Sequence, residues 1–271
     1  MTTAEFDFVC RLVRDRSGIV LEAGKEYLVD ARLTPVARQC DLESVSALVG
    51  RLRAGPDGAL ATRIVEAMVT TETSFFRDLH PFETLRTTVL PELIRRRQNE
   101  RRLGVWFAAC STGQEPYSLA LLIREYFPQL VGWRIDLLAT DLSAEVLARA
   151  RAGQYSQIEV NRGLPAALMI KYFRQHGATW ELNEDVRRMV EFRELNLTRP
   201  WPPLSSLDLL FLRNVMIYFN VESKKVILNQ TARLLRPDGY LLLGAAETTL
   251  NLSDSLRRVE SLKGGFYQLV G

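Results

Sequence analysis

The 271-residue sequence predicts an α/β protein: a small N-terminal helical bundle, then a parallel sheet with helices on both faces. Two patterns carry this reading. Apolar residues recur at helical spacing through the first seventy positions, and after Gly104 short apolar runs alternate with helical stretches.

Phe6, Val9, Cys10 and Val13 form one helical stripe, which Gly18 ends. Tyr27, Leu28 and Ala31 begin a second, and Val45, Leu48, Val49 and Leu52 make a third. Gly55-Pro56-Asp57-Gly58 interrupts before Leu60, Ile64 and Met68. The sheet begins with Val105-Trp-Phe-Ala-Ala, followed by a glycine turn and a helix over 117–126. Ile135-Asp-Leu-Leu-Ala-Thr is a strand leading to a helix over 143–151. Then come a strand over 207–212, a helix over 221–235 closed by Arg236-Pro-Asp-Gly, and a strand over 240–245. Residues 153–190, with Gly153, Gly163, Pro165 and Gly177, exceed what a crossover needs and read as an inserted subdomain over about 154–190. Arg257-Arg-Val-Glu-Ser, Leu262-Lys-Gly-Gly and Phe266-Tyr-Gln-Leu-Val read as an antiparallel hairpin on the sheet edge. The chain thus divides into a helical domain (1–70), a linker (71–82) and a sheet domain (83–271).

Composition mainly excludes. Thirty-five basic and 32 acidic residues leave a net charge of +3, too small to imply a nucleic-acid partner. Arg95-Arg96-Arg97 with Arg101-Arg102 is read as the solvated end of a helix rather than a polyanion site. Two histidines, His80 and His176, and three scattered cysteines disfavour zinc, disulfides and a histidine-dependent triad, so no metal site is expected. An acidic start and the lack of a long apolar run predict a cytoplasmic chain without membrane insertion.

The strand end at Ala108 and the small residues up to Gly113 let a ligand approach the backbone, and Pro116 sits in the first turn of the next helix. Only one glycine is present, so a phosphate cradle is less favoured than an adenosine ligand without phosphates. A plain tight turn, with Glu115 complementing the helix dipole, explains the stretch equally well. Asp141, at the end of the next strand, suits ribose hydroxyls or else caps the following helix, which Ser143 could also do. Glu115 and Asp141 together favour a cationic ligand over a pyrophosphate, and S-adenosylmethionine matches in sign. In Thr70-Thr-Glu-Thr-Ser-Phe-Phe-Arg-Asp, Phe75, Phe76 and Arg77 could form a lid, although physical considerations favour two rings that glue the domains together. Phe211-Leu-Arg-Asn-Val-Met-Ile-Tyr-Phe ends a buried strand in Arg213 and Asn214, placed to line a site, with Tyr218 either lining it too or satisfied in the core.

Thr71-Glu-Thr-Ser-Phe-Phe-Arg-Asp, Ala109-Cys-Ser-Thr-Gly-Gln-Glu-Pro-Tyr-Ser, Ala139-Thr-Asp-Leu-Ser, Glu194-Leu-Asn-Leu and Arg213-Asn-Val-Met-Ile-Tyr-Phe, in that order, resemble the CheR family of chemotaxis protein-glutamate O-methyltransferases over essentially the whole chain. The resemblance implies a Rossmann-like class I methyltransferase sheet domain with a small inserted β-subdomain. It also implies S-adenosylmethionine binding by Thr71, Thr73, Arg77, Gly113, Glu115, Asp141, Asn196, Leu197, Arg213 and Asn214, with Arg77 and Tyr218 beside the transferred methyl group. The implied reaction esterifies glutamates of a methyl-accepting chemoreceptor's cytoplasmic domain, in chemotaxis or surface sensing, and releases S-adenosylhomocysteine; a monomer is expected. Three departures stand out: Thr71 replaces a common asparagine, Gly244-Ala-Ala-Glu replaces Gly-His-Ser-Glu, and the loop around Gly177 is short, which argues against docking of a receptor pentapeptide tail. The competing readings are a small-molecule or RNA methyltransferase and a docking module without turnover.

Overall fold

The computed structural model describes residues 1–55 and 57–270. Pro56, within the predicted interruption, and Gly271 lie outside the described residues. The chain forms two compact units, one of Met1–Thr70 with Tyr218–Lys224, the other of the remainder.

In the first unit, α1 (Thr3–Ser17), α2 (Glu26–Gln39), α3 (Val45–Ala54) and α4 (Gly58–Met68) bury one stripe each. Thr2 and Glu5 form a capping box at the start of α1, and Gly18 ends it in the left-handed conformation. Ser44 and Asp57 cap α3 and α4 by accepting the N–H groups of Ala47 and Leu60. The predicted face of α2 is wrong. Tyr27 is 73% exposed, and the buried stripe is Val29, Leu33, Val36 and Ala37. Pro35 sits inside this helix, so the last apolar pair, one turn on, decides the face.

In the second unit, α5 (His80–Thr84), a π-turn (Leu85–Val89) and α6 (Leu90–Arg96) precede the sheet. The order is then β1 (Arg102–Ala108), α7 (Gln114–Tyr126), β2 (Arg134–Asp141), α8 (Ala144–Ala152), β3 (Gln154–Ser156), α9 (Gln157–Asn161), α10 (Ala166–Tyr172), β4 (Phe173–His176), β5 (Thr179–Leu182), α11 (Glu184–Arg187) and β6 (Val190–Glu194). The chain continues with β7 (Leu207–Leu212), a 3-10 turn (Met216–Tyr218), α12 (Val221–Leu234), β8 (Leu235–Leu243), β9 (Leu256–Arg258) and β10 (Phe266–Leu269). Seven strands form one sheet in the order β6-β2-β1-β7-β8-β10-β9, parallel as far as β8, with β10 antiparallel to both neighbours. The insertion is a separate three-stranded sheet, β3-β5-β4.

The central strands read as unbroken apolar runs because both faces are covered. Every residue of β7 is buried, and Phe107 of β1 stacks on Phe211 of β7 at 4.4 Å. Burying each such ring contributes about 1.5–3 kcal/mol. Beyond α12, β8 starts at Leu235, paired with Leu207, and resumes its register at Tyr240 after a bulge. Arg236-Pro-Asp-Gly therefore lies inside a bulged strand rather than closing the helix.

That bulge answers one member of the arginine cluster: Arg95 and Arg101 are exposed, as in a solvated helix end, whereas Arg97 is not. Arg97 is buried; its Nε donates to Asp208 Oδ1 (2.6 Å) and its Nη1 to Asp238 Oδ2 (2.9 Å). Asp208 also accepts the Gly104 N–H (2.8 Å), so the cluster joins α6, β1, β7 and β8. Arg97→Met would leave the buried Asp208 carboxylate with only the Gly104 N–H and a longer contact to Arg236 Nε (3.5 Å). The expected loss is about 3–5 kcal/mol, read as a lowered urea midpoint.

Candidate functional site

The loops that follow β1, β2, β6, β7 and β8 leave the same edge of the sheet, and β1 and β7 flank the point where the strand order reverses. Open α/β sheets bind ligands at such a point, outside the carboxyl ends of the strands.

The loop after β1 is held in a strained path. Ala109 and Ser111 have φ of 75° and 50°, unusual for residues with a Cβ. The Ala109 and Cys110 N–H groups both donate to the Thr140 carbonyl (2.8 Å each), which hooks the loop onto the end of β2. Ser111 N–H donates to Asp141 Oδ2 (2.8 Å), and Ser143 N–H donates to Asp141 Oδ1 (3.2 Å). Ser143 itself caps α8 through the Val146 N–H. Asp141 therefore braces two loops, and the helix cap belongs to Ser143.

Gly113 begins α7 at φ +92°. A Cβ there would lie 3.1 Å from Ala150 Cβ and 3.2 Å from the Tyr117 ring. Glycine is therefore required here by the packing of Ala150 and Tyr117 as well as by the positive φ. Burial foremost, then the charge of Asp141, pushes the Cys110 thiol well above its ordinary value, which keeps it protonated and unreactive.

The Phe75 and Phe76 rings, expected at the junction of the domains, find their ring partners within the sheet unit. Phe75 meets Tyr155 and Phe173 of the insertion edge-on, and Phe76 meets Phe82 of α5. The linker is fastened to α7 as well, because Phe76 N–H donates to Ser118 Oγ (2.9 Å) and Ser111 Oγ donates to the Thr71 carbonyl (2.7 Å). Thr71 is exposed, Thr73 is half-buried, and Arg77 Nη1 donates to the Glu72 carbonyl (3.3 Å).

Arg213, at the end of β7, occupies the centre. Its side chain is 1% exposed; Nη1 donates to Glu115 Oε1, and Nη2 donates to Asp78 Oδ2 (2.7 Å) and to the Arg77 carbonyl (3.1 Å). Asn214 follows at φ 57°. Its N–H and those of Val215, Met216 and Gly244 all donate to the Glu247 carboxylate, at 2.7–2.9 Å. On the far side, Leu195 N–H donates to the Asp141 carbonyl, Asn196 Oδ1 accepts from both the N–H and the hydroxyl of Thr198, and Leu197 is buried. The sheet unit thus ties Glu115 and the Arg77 carbonyl to Arg213, and the Thr71 carbonyl through Ser111 to Asp141, while Asn196 and Leu197 lie on the loop after β6. Tyr218 belongs to the first unit, where its carbonyl accepts the Val20 N–H (2.9 Å). Asp78 and Glu247 are organising acids to which the sequence patterns assign no role. The one visible signal is that Asp78 directly follows Arg77 and that Glu247 stands three residues after Gly244, just past the end of β8.

These residues fit the expected ligand in charge. Glu115 and Asp78 face one guanidinium, leaving a net negative charge, and Asp141 adds another. Such a surplus attracts a sulfonium and would repel a pyrophosphate.

A sheet of this order with an acid-rich ligand edge is a Rossmann-like arrangement suited to a cationic nucleoside ligand. Residues 71–264 match the CheR methyltransferase SAM-binding domain, and residues 4–69 match the all-alpha domain of the same family. The chain belongs to the CheR methyltransferase family. It is 40% identical to chemotaxis protein methyltransferase 1 of Pseudomonas aeruginosa, over 98% of this chain and 97% of that one. Chemotaxis protein methyltransferase Cher2 of Pseudomonas putida is 39% identical over 99% of each chain, and chemotaxis protein methyltransferase 1 of Vibrio cholerae is 38% identical over 98% and 96%. No helix among the described residues is long and apolar enough to cross a membrane.

Two outcomes are expected. Glu247→Ala leaves four N–H groups without their acceptor and should cost about 1–3 kcal/mol, seen as a lowered urea midpoint. Burial foremost raises the Glu115 carboxyl above its ordinary value, against the opposing pull of Arg213. Its stabilising share is therefore complete below the ordinary carboxylate range and lost as pH rises through its own raised pKa. Urea midpoints of the wild type and Glu115→Gln, measured from about pH 4 to about pH 8, should diverge in that window, with the wild type falling more steeply.

Proposed function

We propose that this chain methylates glutamate side chains in the cytoplasmic domain of methyl-accepting chemoreceptors, giving glutamate methyl ester and S-adenosylhomocysteine. The observation that carries the proposal is near-full-length similarity to proteins named chemotaxis protein methyltransferases, two of them matching over 97% or more of both chains.

The chemistry suits the residues present. Bound S-adenosylmethionine supplies a methyl group on a sulfonium, and an ionised glutamate is nucleophilic enough to take it without a general base. What the chain must contribute is in-line positioning and exclusion of water from two strongly solvated charges. In this reading Glu115 and Asp141 balance the positive ligand and its ribose, and Gly113, Asn196 and Leu197 frame the adenosine. Thr71 and Thr73 hold the linker side of the ligand, while Arg213 and Asn214 hold the floor. Arg77 orients a carboxylate by charge-assisted hydrogen bonds; its half-buried side chain, anchored only through the Glu72 carbonyl, supports that role. For Tyr218 the support is the sequence resemblance alone.

Labelled S-adenosylmethionine with purified receptor cytoplasmic domains should yield base-labile methyl esters, and label that is absent or stable to base contradicts the reading. Arg77→Ala should lower kcat/KM about ten- to a hundredfold, corresponding to roughly 1.5–3 kcal/mol. Unchanged turnover would remove Arg77 from the mechanism.

A further inference from the structure

A cavity of about 370 Å³ lies where the ends of β7 and β8 meet the β9–β10 hairpin. Arg213, Glu247, Arg258, Lys263 and Tyr267 are among the residues lining it. It adjoins the cofactor loops, sharing Arg213 and Asp78 with them, and extends away to Arg258, Lys263 and Tyr267 of the hairpin beyond β8.

The charges in the cavity are of two kinds. Arg213 is answered by Glu115 and Asp78, and Glu247 by four backbone N–H groups. Arg258 and Lys263 are exposed and make no ion pair among the described residues. Tyr267 also lines the cavity, and its hydroxyl makes no hydrogen bond among the described residues, so this O–H is open to an acceptor that enters there.

The wall carrying Lys263 is fixed beforehand. Thr84 Oγ1 donates to the Lys263 carbonyl (2.8 Å), and Leu243 N–H donates to the Gly265 carbonyl (3.0 Å). Gly264 has φ +108°, and a Cβ there would lie 2.8 Å from Pro81 Cα, so only glycine lets the turn sit this close.

We infer that this cavity receives a second acidic side chain of the methyl-accepting protein, next in space to the glutamate that is esterified, with Arg258 and Lys263 drawing it in and the Tyr267 hydroxyl donating to it. The inference rests on the glutamate-methylation reading above and adds a selection rule: the enzyme recognises a carboxylate by the acidity of its surroundings. The amino-acid end of the cofactor is the other source of a carboxylate, and the test separates the two.

The Arg258→Glu/Lys263→Glu double variant and Tyr267→Phe are assayed with labelled S-adenosylmethionine and a receptor cytoplasmic domain, alongside calorimetric binding of S-adenosylhomocysteine. The double variant should raise KM for the acceptor by about tenfold or more, and Tyr267→Phe by about threefold or more. S-adenosylhomocysteine affinity should stay within about twofold of wild type in both, because charge on the acceptor side leaves cofactor contacts alone. Replacing acidic residues that flank the methylated glutamate with glutamine should raise KM for the wild type but add little to the double variant. Unchanged acceptor KM in an active enzyme overturns the inference, and a parallel loss of S-adenosylhomocysteine affinity assigns the cavity to the cofactor instead. A wild type that forms no ester overturns the methylation reading, and this one with it, so the two failures look different.

Discussion

The site is organised around one buried cation. With its side chain 1% exposed, the Arg213 guanidinium must be satisfied by protein oxygens. Those oxygens come from α7 through Glu115, from the linker through Asp78, and from the Arg77 carbonyl. Two segments distant in sequence, the linker and α7, are thereby forced to converge at the end of β7. The linker's course, the start of α7 and the position of Arg77 all follow from that requirement.

Around this centre the backbone adopts conformations it would not choose unaided. Phe76, Asp78, Ala109, Ser111 and Asn214 all have positive φ, and all lie in the linker or in loops at the ligand edge. Such residues cost of order 1–3 kcal/mol each and persist where the surroundings over-determine them. Here the fastenings are identifiable: the Thr140 carbonyl for Ala109, Asp141 for Ser111, Ser118 for Phe76 and Glu247 for Asn214. In a site whose chemistry asks for positioning rather than for a proton carrier, stiffness is the useful property.

The architecture was readable because its periodicities are plain. A strand covered on both faces becomes an unbroken apolar run, as in β7, and a glycine pair between two short runs becomes the β9–β10 hairpin. Readings failed where a partner far along the chain decides the outcome. Arg97 looks like a solvated helix end until Asp208 and Asp238 arrive from β7 and β8. Tyr27 looks like a core residue until the bundle turns the face of Val29 and Leu33 inward. Among the site residues, Glu115, Asp141 and Arg213 could be singled out because charged side chains at strand ends are conspicuous. Glu247 could not, because its partners are backbone N–H groups, and backbone is common to every residue.

The Glu247 carboxylate also bears on how the site comes into being. Its N–H partner on Asn214 lies 33 residues earlier, on the other side of α12 and β8. Until those elements have formed and paired, the turn after Arg213 lacks the acceptor that holds its left-handed bend. The ligand edge is therefore completed only by a contact that the later part of the chain delivers, and contacts spanning such separations form late because their loops must close first. The bend that carries Arg213 and Asn214 is thus written in two places of the sequence, one on each side of α12 and β8.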